Sequence, residues 1–384
     1  MLLVKRIKAK NWKNFGNIDI RVGERLFIVG ANASGKSNFL DFFRFLKDLS
    51  NNGLQKAVNA RGGLKKIRNL NARKPSYIEV SLELLDIENN NQWGYTLQFN
   101  SRGGTADKPV IYVYVEKVIC NDQCILNRKQ EDDILAQYTH LEQPAMNTSF
   151  RVLFDTFRNI NYVNIIPQLI RESESFIPSN AMEDFYGRNI LAHISETNKK
   201  TRDSRLKKIA KVLQMAVPQF SDLEYMRDEK GHPHLRVRYE HFRQYGAFQM
   251  EDQFSDGTLR LIGIIWAILD GDGILLLEEP ELYLHSEIVK QLPMFIAKAQ
   301  KSSKGKVRQV FISSHSYELL NTDTISPEEI IMLNQGKEDT IIELADAVPS
   351  VTQKIDSGFT PAEAVIPHVA PKGVLEGQLS LFDL

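Results

Sequence analysis

Gly30-Ala31-Asn32-Ala33-Ser34-Gly35-Lys36-Ser37 fits the phosphate-binding pattern G-x-x-x-x-G-K-[ST] without a gap. Its flanks have the order that the pattern requires. Arg25 to Gly30, R-L-F-I-V-G, is a short β-branched run ending in glycine, and Lys36 to Leu49 places Phe39, Leu40, Phe43 and Leu46 at helical spacing. Gly30 and Gly35 let the backbone bend so that successive N-H groups converge on a phosphate at the positive end of the helix. Lys36 then reaches the outer phosphates and the Ser37 hydroxyl reaches Mg2+. The competing reading is a plain glycine-rich turn.

Downstream, G-I-L-L-L-E-E-P-E puts Glu278 and Glu279 at the carboxyl end of an apolar run, Ile274 to Leu277. In a parallel α/β sheet that is the edge on which ligands bind. One acid there can hold Mg2+ and the other can take a proton from an attacking water; a solvated acidic turn is the alternative. F-S-D-G-T-L-R, Phe254 to Arg260, opens a helix over Gly257 to Leu269 with Ser255 as its N-cap. His315 ends a further apolar run, Val307 to Ser313, and Glu287 to Lys298 reads as a helix. Strands alternating with helices predict a parallel sheet.

The first twenty residues read as a hairpin, L-V-K-R-I-K-A-K and N-I-D-I-R-V around N-W-K-N-F-G. From Asn51 to about Tyr239 the pattern is mixed, with strands at Ile78 to Leu85 and Val110 to Ile119 and helices at Thr148 to Asn159 and Asn189 to Met215. No sustained heptads occur there, so no long coiled coil is expected.

With 384 residues, 42% hydrophobic and 25% charged, the chain has ordinary globular composition. A formal net charge of +0 leaves any nucleic-acid surface to local clusters. Two clusters qualify, Arg61 to Lys74 and Lys199 to Lys211, and each is equally readable as a solvated face. The two cysteines, Cys120 and Cys124, suit a reducing compartment and carry only a weak metal signal. No apolar run reaches the roughly 18 residues of a membrane span, and the N-terminus lacks a signal-peptide pattern. The expectation is a cytoplasmic protein without a membrane partner.

Together these residues resemble the ATP-binding cassette ATPases, within them the DNA-associated heads that include the SMC, RecF and OLD proteins. The resemblance implies an α/β fold, an ABC-type P-loop NTPase head whose mixed sheet is flanked by helices and interrupted by an inserted arm and helical subdomain. In that family G-A-N-A-S-G-K-S-N, from Gly30, Ala31, Asn32, Ala33, Ser34, Gly35, Lys36 and Ser37 to Asn38, is the Walker A. F-S-D-G-T is the signature, L-L-L-E-E-P-E the Walker B, and His315 the switch histidine. The implied cofactors are ATP and Mg2+. By position Lys36 binds phosphate, Ser37 and Glu278 serve the metal, Glu279 is the catalytic base and His315 senses the γ-phosphate. Ser255 and Gly257 face the nucleotide of a second protomer, implying a homodimer or higher homo-oligomer. Glu278 departs from the family's Asp, and its extra methylene, roughly 1.5 Å, makes slow turnover an expectation. Gln168 is the candidate lid glutamine.

The expected organisation is an ATPase lobe at 1–50, an arm and helical subdomain at 51–240, a second ATPase lobe at 241–345 and a loose tail at 346–384. The stretch after His315 is too short for the Toprim nuclease of OLD-type proteins, so no nuclease activity of its own is expected. This layout is similar to the stand-alone ATPases of Septu and retron-associated anti-phage systems, which implies a separate effector nuclease and DNA as partners. A DNA repair or recombination ATPase, an ATP-dependent assembly module and a transporter ATPase are the competing readings. The tail ends Q-L-S-L-F-D-L, and Gln378, Leu379, Leu381 and Phe382 resemble the bacterial sliding-clamp-binding peptide.

Overall fold

A computed structural model describes residues 2–74, 76–104, 109–129, 132–172, 184–239, 247–300 and 308–370. The chain divides into two compact units, Met1–Ile160 with Gln309–Leu384, and Asn161–Arg308.

The first unit holds two sheets. Leu2–Trp12 and Phe15–Arg21 form the expected hairpin, paired antiparallel from Arg6 with Arg21 to Trp12 with Phe15. Ile78–Asp86 pairs along the other side of Leu2–Trp12. Asn91–Gly104, Pro109–Cys120 and Gln123–Lys129 continue the antiparallel sheet to six strands. The strands that this unit contributes to the second sheet run Thr340–Leu344, Ile330–Gln335, Arg25–Gly30, Val310–Ser314. Ile330–Gln335 and Val310–Ser314 flank Arg25–Gly30 in parallel, and Thr340–Leu344 is an antiparallel edge. Arg25–Gly30 lies between two partners, and its Leu26, Phe27, Ile28 and Val29 are fully buried, as central parallel strands require.

The helix Lys36–Asn52 is the core of this unit. Phe39, Leu40, Phe43 and Leu46 are buried as their spacing predicts, and so are Phe42 and Phe45. The wider apolar face is needed because the helix meets aromatic partners on several sides. Phe43 lies 4.8 Å from Phe311, Phe45 stacks at 5.5 Å on Phe99, and Trp12 sits 5.8 Å from Phe42 edge to face. Such pairs add about 0.5–1.5 kcal/mol each beyond their area.

Two expectations are corrected. The boundary near residue 50 is not a boundary between compact units, because the sheet that includes Ile78–Asp86 is built on the N-terminal hairpin. Residues 349–369, expected within the loose tail, form the helices Pro349–Asp356 and Pro361–Val369. Pro349 and Pro361 sit at helix starts, where a missing N-H is harmless, Pro367 lies inside the second helix, and Thr360 caps that helix through a reciprocal bond with Glu363. Val351, Ala362, Ala364 and Val365 are fully buried. Gln378, Leu379, Leu381 and Phe382 lie outside the described residues.

The second unit begins with Asn161–Val163, parallel to Leu275–Glu278. Between them come the helices Pro167–Arg171, Ile190–Glu196 and Lys199–Ala216 and a three-stranded antiparallel sheet of Phe220–Arg227, Pro233–Tyr239 and Ala247–Met250. Asp256–Leu269 and Ser286–Gln300 complete it. Lys199–Ala216, at 18 residues, is the longest helix among the described residues, so none of them extends as a coiled-coil arm.

Candidate functional site

In the first unit the loop Gly30–Ser37 bends through two left-handed residues, Ala33 at φ 63° and Gly35 at φ 108°. Only glycine fits the second, since a Cβ at Gly35 would stand 2.1 Å from Asn14 Nδ2. Asn14 comes from the hairpin turn N-W-K-N-F and is here the loop's fastener. Its Nδ2 donates to the Ser34 carbonyl at 3.1 Å and to Thr340 Oγ1 at 2.6 Å, and its Oδ1 accepts from Asn38 Nδ2 at 2.8 Å. Thr340 Oγ1 also donates to the Ser34 carbonyl, at 3.0 Å. Trp12 Nε1 donates to the Asn38 carbonyl at 2.9 Å. The loop is therefore held from the hairpin turn and from the edge strand at once, and Asn14 and Thr340 carried no signal of this in the sequence beyond a turn and a strand start.

Lys36 is buried, and its ammonium donates to the Gly30 and Ala31 carbonyls at 3.0 and 3.2 Å. Ser37 is exposed in the first helical turn, and Asn32 and Ala33 are exposed on the loop. The Asp41 carboxylate one turn on is nearly buried between Arg61 at 2.9 Å and Lys13 at 2.6 Å. Burial pushes that carboxyl up, but Arg61 and then Lys13 outweigh it and hold it below its ordinary value. Arg61 also pairs with Asp48 at 2.7 Å, and its side chain is 8% exposed, so this member of the first basic cluster is no solvated charge. His315 follows the strand Val310–Ser314, in which Ser314 is in register with Val29. The exposed imidazole and the loop thus leave adjacent parallel strands at the same edge.

These groups fit a magnesium triphosphate. Helix-start amides and an ammonium suit phosphate oxygens. No group of three His, Cys, Asp or Glu able to hold a metal occurs among the described residues; the exposed Ser37 hydroxyl would hold Mg2+ beside the phosphates, an ion that usually keeps several of its waters.

In the second unit Glu278 ends Leu275–Glu278 as read from the sequence. Its carboxylate accepts from the Tyr162 hydroxyl on the neighbouring strand. Glu279 follows with a left-handed backbone, φ 42°, a conformation that costs a non-glycine residue about 1–2 kcal/mol. Arg260 supports that turn. Only 2% exposed, it donates to the Glu279 carbonyl at 2.6 Å and to the Ile165 carbonyl. Burial pulls its guanidinium below the ordinary value. Gly257 is needed for contact: a Cβ there would stand 2.6 Å from the Tyr283 carbonyl, so the helix Asp256–Leu269 and the turn after Glu279 touch backbone to backbone.

Ser255 caps the helix Asp256–Leu269, its Oγ accepting from Thr258 N at 3.2 Å. Asp256 is held by Arg171 at 2.7 Å and by Gln168 Nε2 at 3.1 Å. Gln168 thus helps to hold the start of the helix Asp256–Leu269. The sequence-predicted residues fall into two groups, Gly30 to Asn38 with His315 in one unit and Ser255, Gly257, Glu278 and Glu279 in the other. Asn14, Thr340, Tyr162, Arg171 and Arg260 were missed, because each acts through a partner remote in sequence.

Residues 26–321 match the AAA_21 family, described as "AAA domain, putative AbiEii toxin, Type IV TA system". No curated protein matches the sequence. Among solved structures, the Smc head bound to the C-terminal winged-helix domain of ScpA is similar over 88% of this chain and 96% of its own, with 14% identity and a TM-score of 0.52. The Smc head with an extended coiled coil bound to the C-terminal domain of ScpA, from Pyrococcus furiosus, is similar over 93% and 100%, with 12% identity and a TM-score of 0.50. These likenesses show the fold of an SMC head, and the family match shows that the chain belongs to the AAA_21 family of AAA-type ATPase domains.

Proposed function

We propose that the chain binds ATP with Mg2+ at Gly30 to Asn38 and hydrolyses it, two copies sharing each nucleotide. The observation that carries this is the fastened loop, with Lys36 and the helix start held ready by Asn14 and Thr340. Such pre-set donors stabilise transferring phosphate without reorganising. Mg2+, when bound, neutralises the phosphate charge. Glu279 takes the proton of the attacking water, Glu278 supports the metal's water shell, and His315 answers to the γ-phosphate. Ser255 and Gly257 of one copy meet the nucleotide of the other, which favours a homodimer or higher homo-oligomer.

The cycle then drives a partner. The similar SMC heads were solved bound to ScpA, which supports a protein counterpart here. The resemblance to anti-phage ATPases favours a separate nuclease acting on DNA, and the tail motif favours a sliding clamp. A second reading, an ATP-dependent assembly module with slow turnover, is favoured by the engagement of Glu278 with Tyr162.

Steady-state ATPase and size-exclusion chromatography of Glu279→Gln test the proposal. Loss of turnover at least a hundredfold, with a larger species formed only with ATP, is the expected result. An unchanged rate would remove the enzyme reading, and no change in size would remove the shared site.

A further inference from the structure

A groove in the second unit lies among the helices Lys199–Ala216, Asp256–Leu269 and Ser286–Gln300. We propose that it is a docking site for an acidic amphipathic helix of a partner protein. Its floor is Ile265, Ile268 and Leu269 of the helix that starts at the signature, and Val212 and Phe295 form its walls. Among the described lining residues the charged groups are Lys208 and Lys298, one from each flanking helix and both exposed.

The cavity measures about 220 Å3. That is below the roughly 300–1,000 Å3 of clefts that enclose a small ligand, and suits a pair of aliphatic side chains presented by a larger body. The opening continues along one helix face. Lys208, Val212 and Met215 stand at i, i+4 and i+7 of Lys199–Ala216, and Met215 is 62% exposed. A helix-in-groove partner needs apolar anchors at this same spacing.

Charge decides the other face of the occupant. Lys199, Lys200, Lys207, Lys208 and Lys211 are all exposed on the first helix. Three acids of these elements are engaged with their own cations: Asp203 lies 3.5 Å from Arg202, Asp270 pairs with Arg205 at 2.7 Å and Glu287 with Lys290 at 2.8 Å; Asp272, past the end of the floor helix, is exposed. An apolar slot with a basic rim fits glutamate or aspartate flanking leucine-type anchors. A nucleic acid would find the same lysines, but its phosphates and bases gain little from an aliphatic slot, whereas base-stacking surfaces are aromatic.

The walls are already set. Arg308 is buried and donates through Nη1 to the carbonyls of Ala267, Ile268 and Asp270, and through Nε to that of Gly273 at 2.9 Å. This closes the end of the helix that forms the floor. Arg205, besides its pair with Asp270, lies 5.1 Å over the Trp266 ring. Binding therefore orders little of the receptor, which favours affinity.

The test uses the full-length protein and fluorescein-labelled peptides of about 18 residues, five helical turns. One carries leucine at i, i+3, i+4 and i+7 positions with glutamate elsewhere; its counterpart replaces every glutamate by lysine. Fluorescence anisotropy should show the glutamate peptide binding at least tenfold tighter than the lysine peptide. Lys208→Glu with Lys298→Glu should reverse that preference, and Val212→Gln should weaken both peptides. Binding of a fluorescent ATP analogue by the variants should be unchanged, which verifies folding. Equal binding of both peptides, or a preference untouched by charge reversal, would overturn the proposal. So would displacement of the peptide by single-stranded or duplex DNA of about 20 nucleotides at equal or lower concentration, which would make this a nucleic-acid face.

Discussion

Asn14→Ala removes the amide that joins the hairpin turn to the phosphate loop. Three hydrogen bonds go with it, to the Ser34 carbonyl, Thr340 Oγ1 and Asn38 Nδ2. Each is worth about 0.5–1.5 kcal/mol net. The Ser34 carbonyl keeps its bond from Thr340, so two bonds' worth, about 2 kcal/mol, is the expected loss of loop order. If that order is what pre-sets the loop for phosphate, ATP affinity falls by roughly thirtyfold. Asn14→Asp is the sharper variant, because it keeps the size of the side chain while placing an oxygen against the Ser34 carbonyl in place of the donor. Titration with a fluorescent ATP analogue reads the affinity, and thermal unfolding without nucleotide reads the fold. The reasoning predicts that Asp is at least as damaging as Ala and that Thr340→Val combined with Asn14→Ala costs more than the two single effects together, since the Ser34 carbonyl then loses both of these donors. Affinity within twofold of the parent in Asn14→Asp, or fully additive double-variant effects, would refute it.

Arg260→Met leaves the carbonyls of Glu279 and Ile165 without their guanidinium donor, at about 1–3 kcal/mol each. The steady-state ATPase should show kcat falling more than tenfold with KM for ATP little changed, and Arg260→Lys should not restore it because an ammonium cannot span both carbonyls; full activity in the Lys variant would contradict this role. Asp41→Asn breaks a buried ion pair and should destabilise the protein by about 3–5 kcal/mol at neutral pH. The Asp41 carboxyl is held below its ordinary 3.8, so its stabilisation is present above that value and is lost as pH falls through the depressed one. Urea unfolding should therefore find parent and variant converging well below pH 3.8, and an equal difference at pH 7 and in acid would rule the linkage out.

Much of the site could be read from sequence because local rules govern its parts. Gly30 to Ser37, the Ser255 cap and the Glu278-Glu279 pair depend on backbone conformation and strand ends, and period and glycine spacing report those directly. Four strands of the six-stranded antiparallel sheet were visible; Asn91–Gly104 and Gln123–Lys129 carry polar residues on their exposed faces and gave weaker runs than Ile78 to Leu85. Pro349 and Pro361 read as loop signals, yet they start helices that bury Val351 and Val365.

The sequence by itself determined that a phosphate loop begins the buried helix Lys36–Asn52 and that two acids end an apolar strand, since three to eight consecutive residues suffice for each. Only the tertiary structure decided what holds them. Asn14 and Thr340 are separated from one another by more than three hundred residues, yet share the Ser34 carbonyl, and Arg260 reaches the Glu279 carbonyl from the helix Asp256–Leu269. A hydrogen bond between such positions leaves no period, spacing or composition in the chain, because its geometry exists only after both segments have been placed by the burial of other residues.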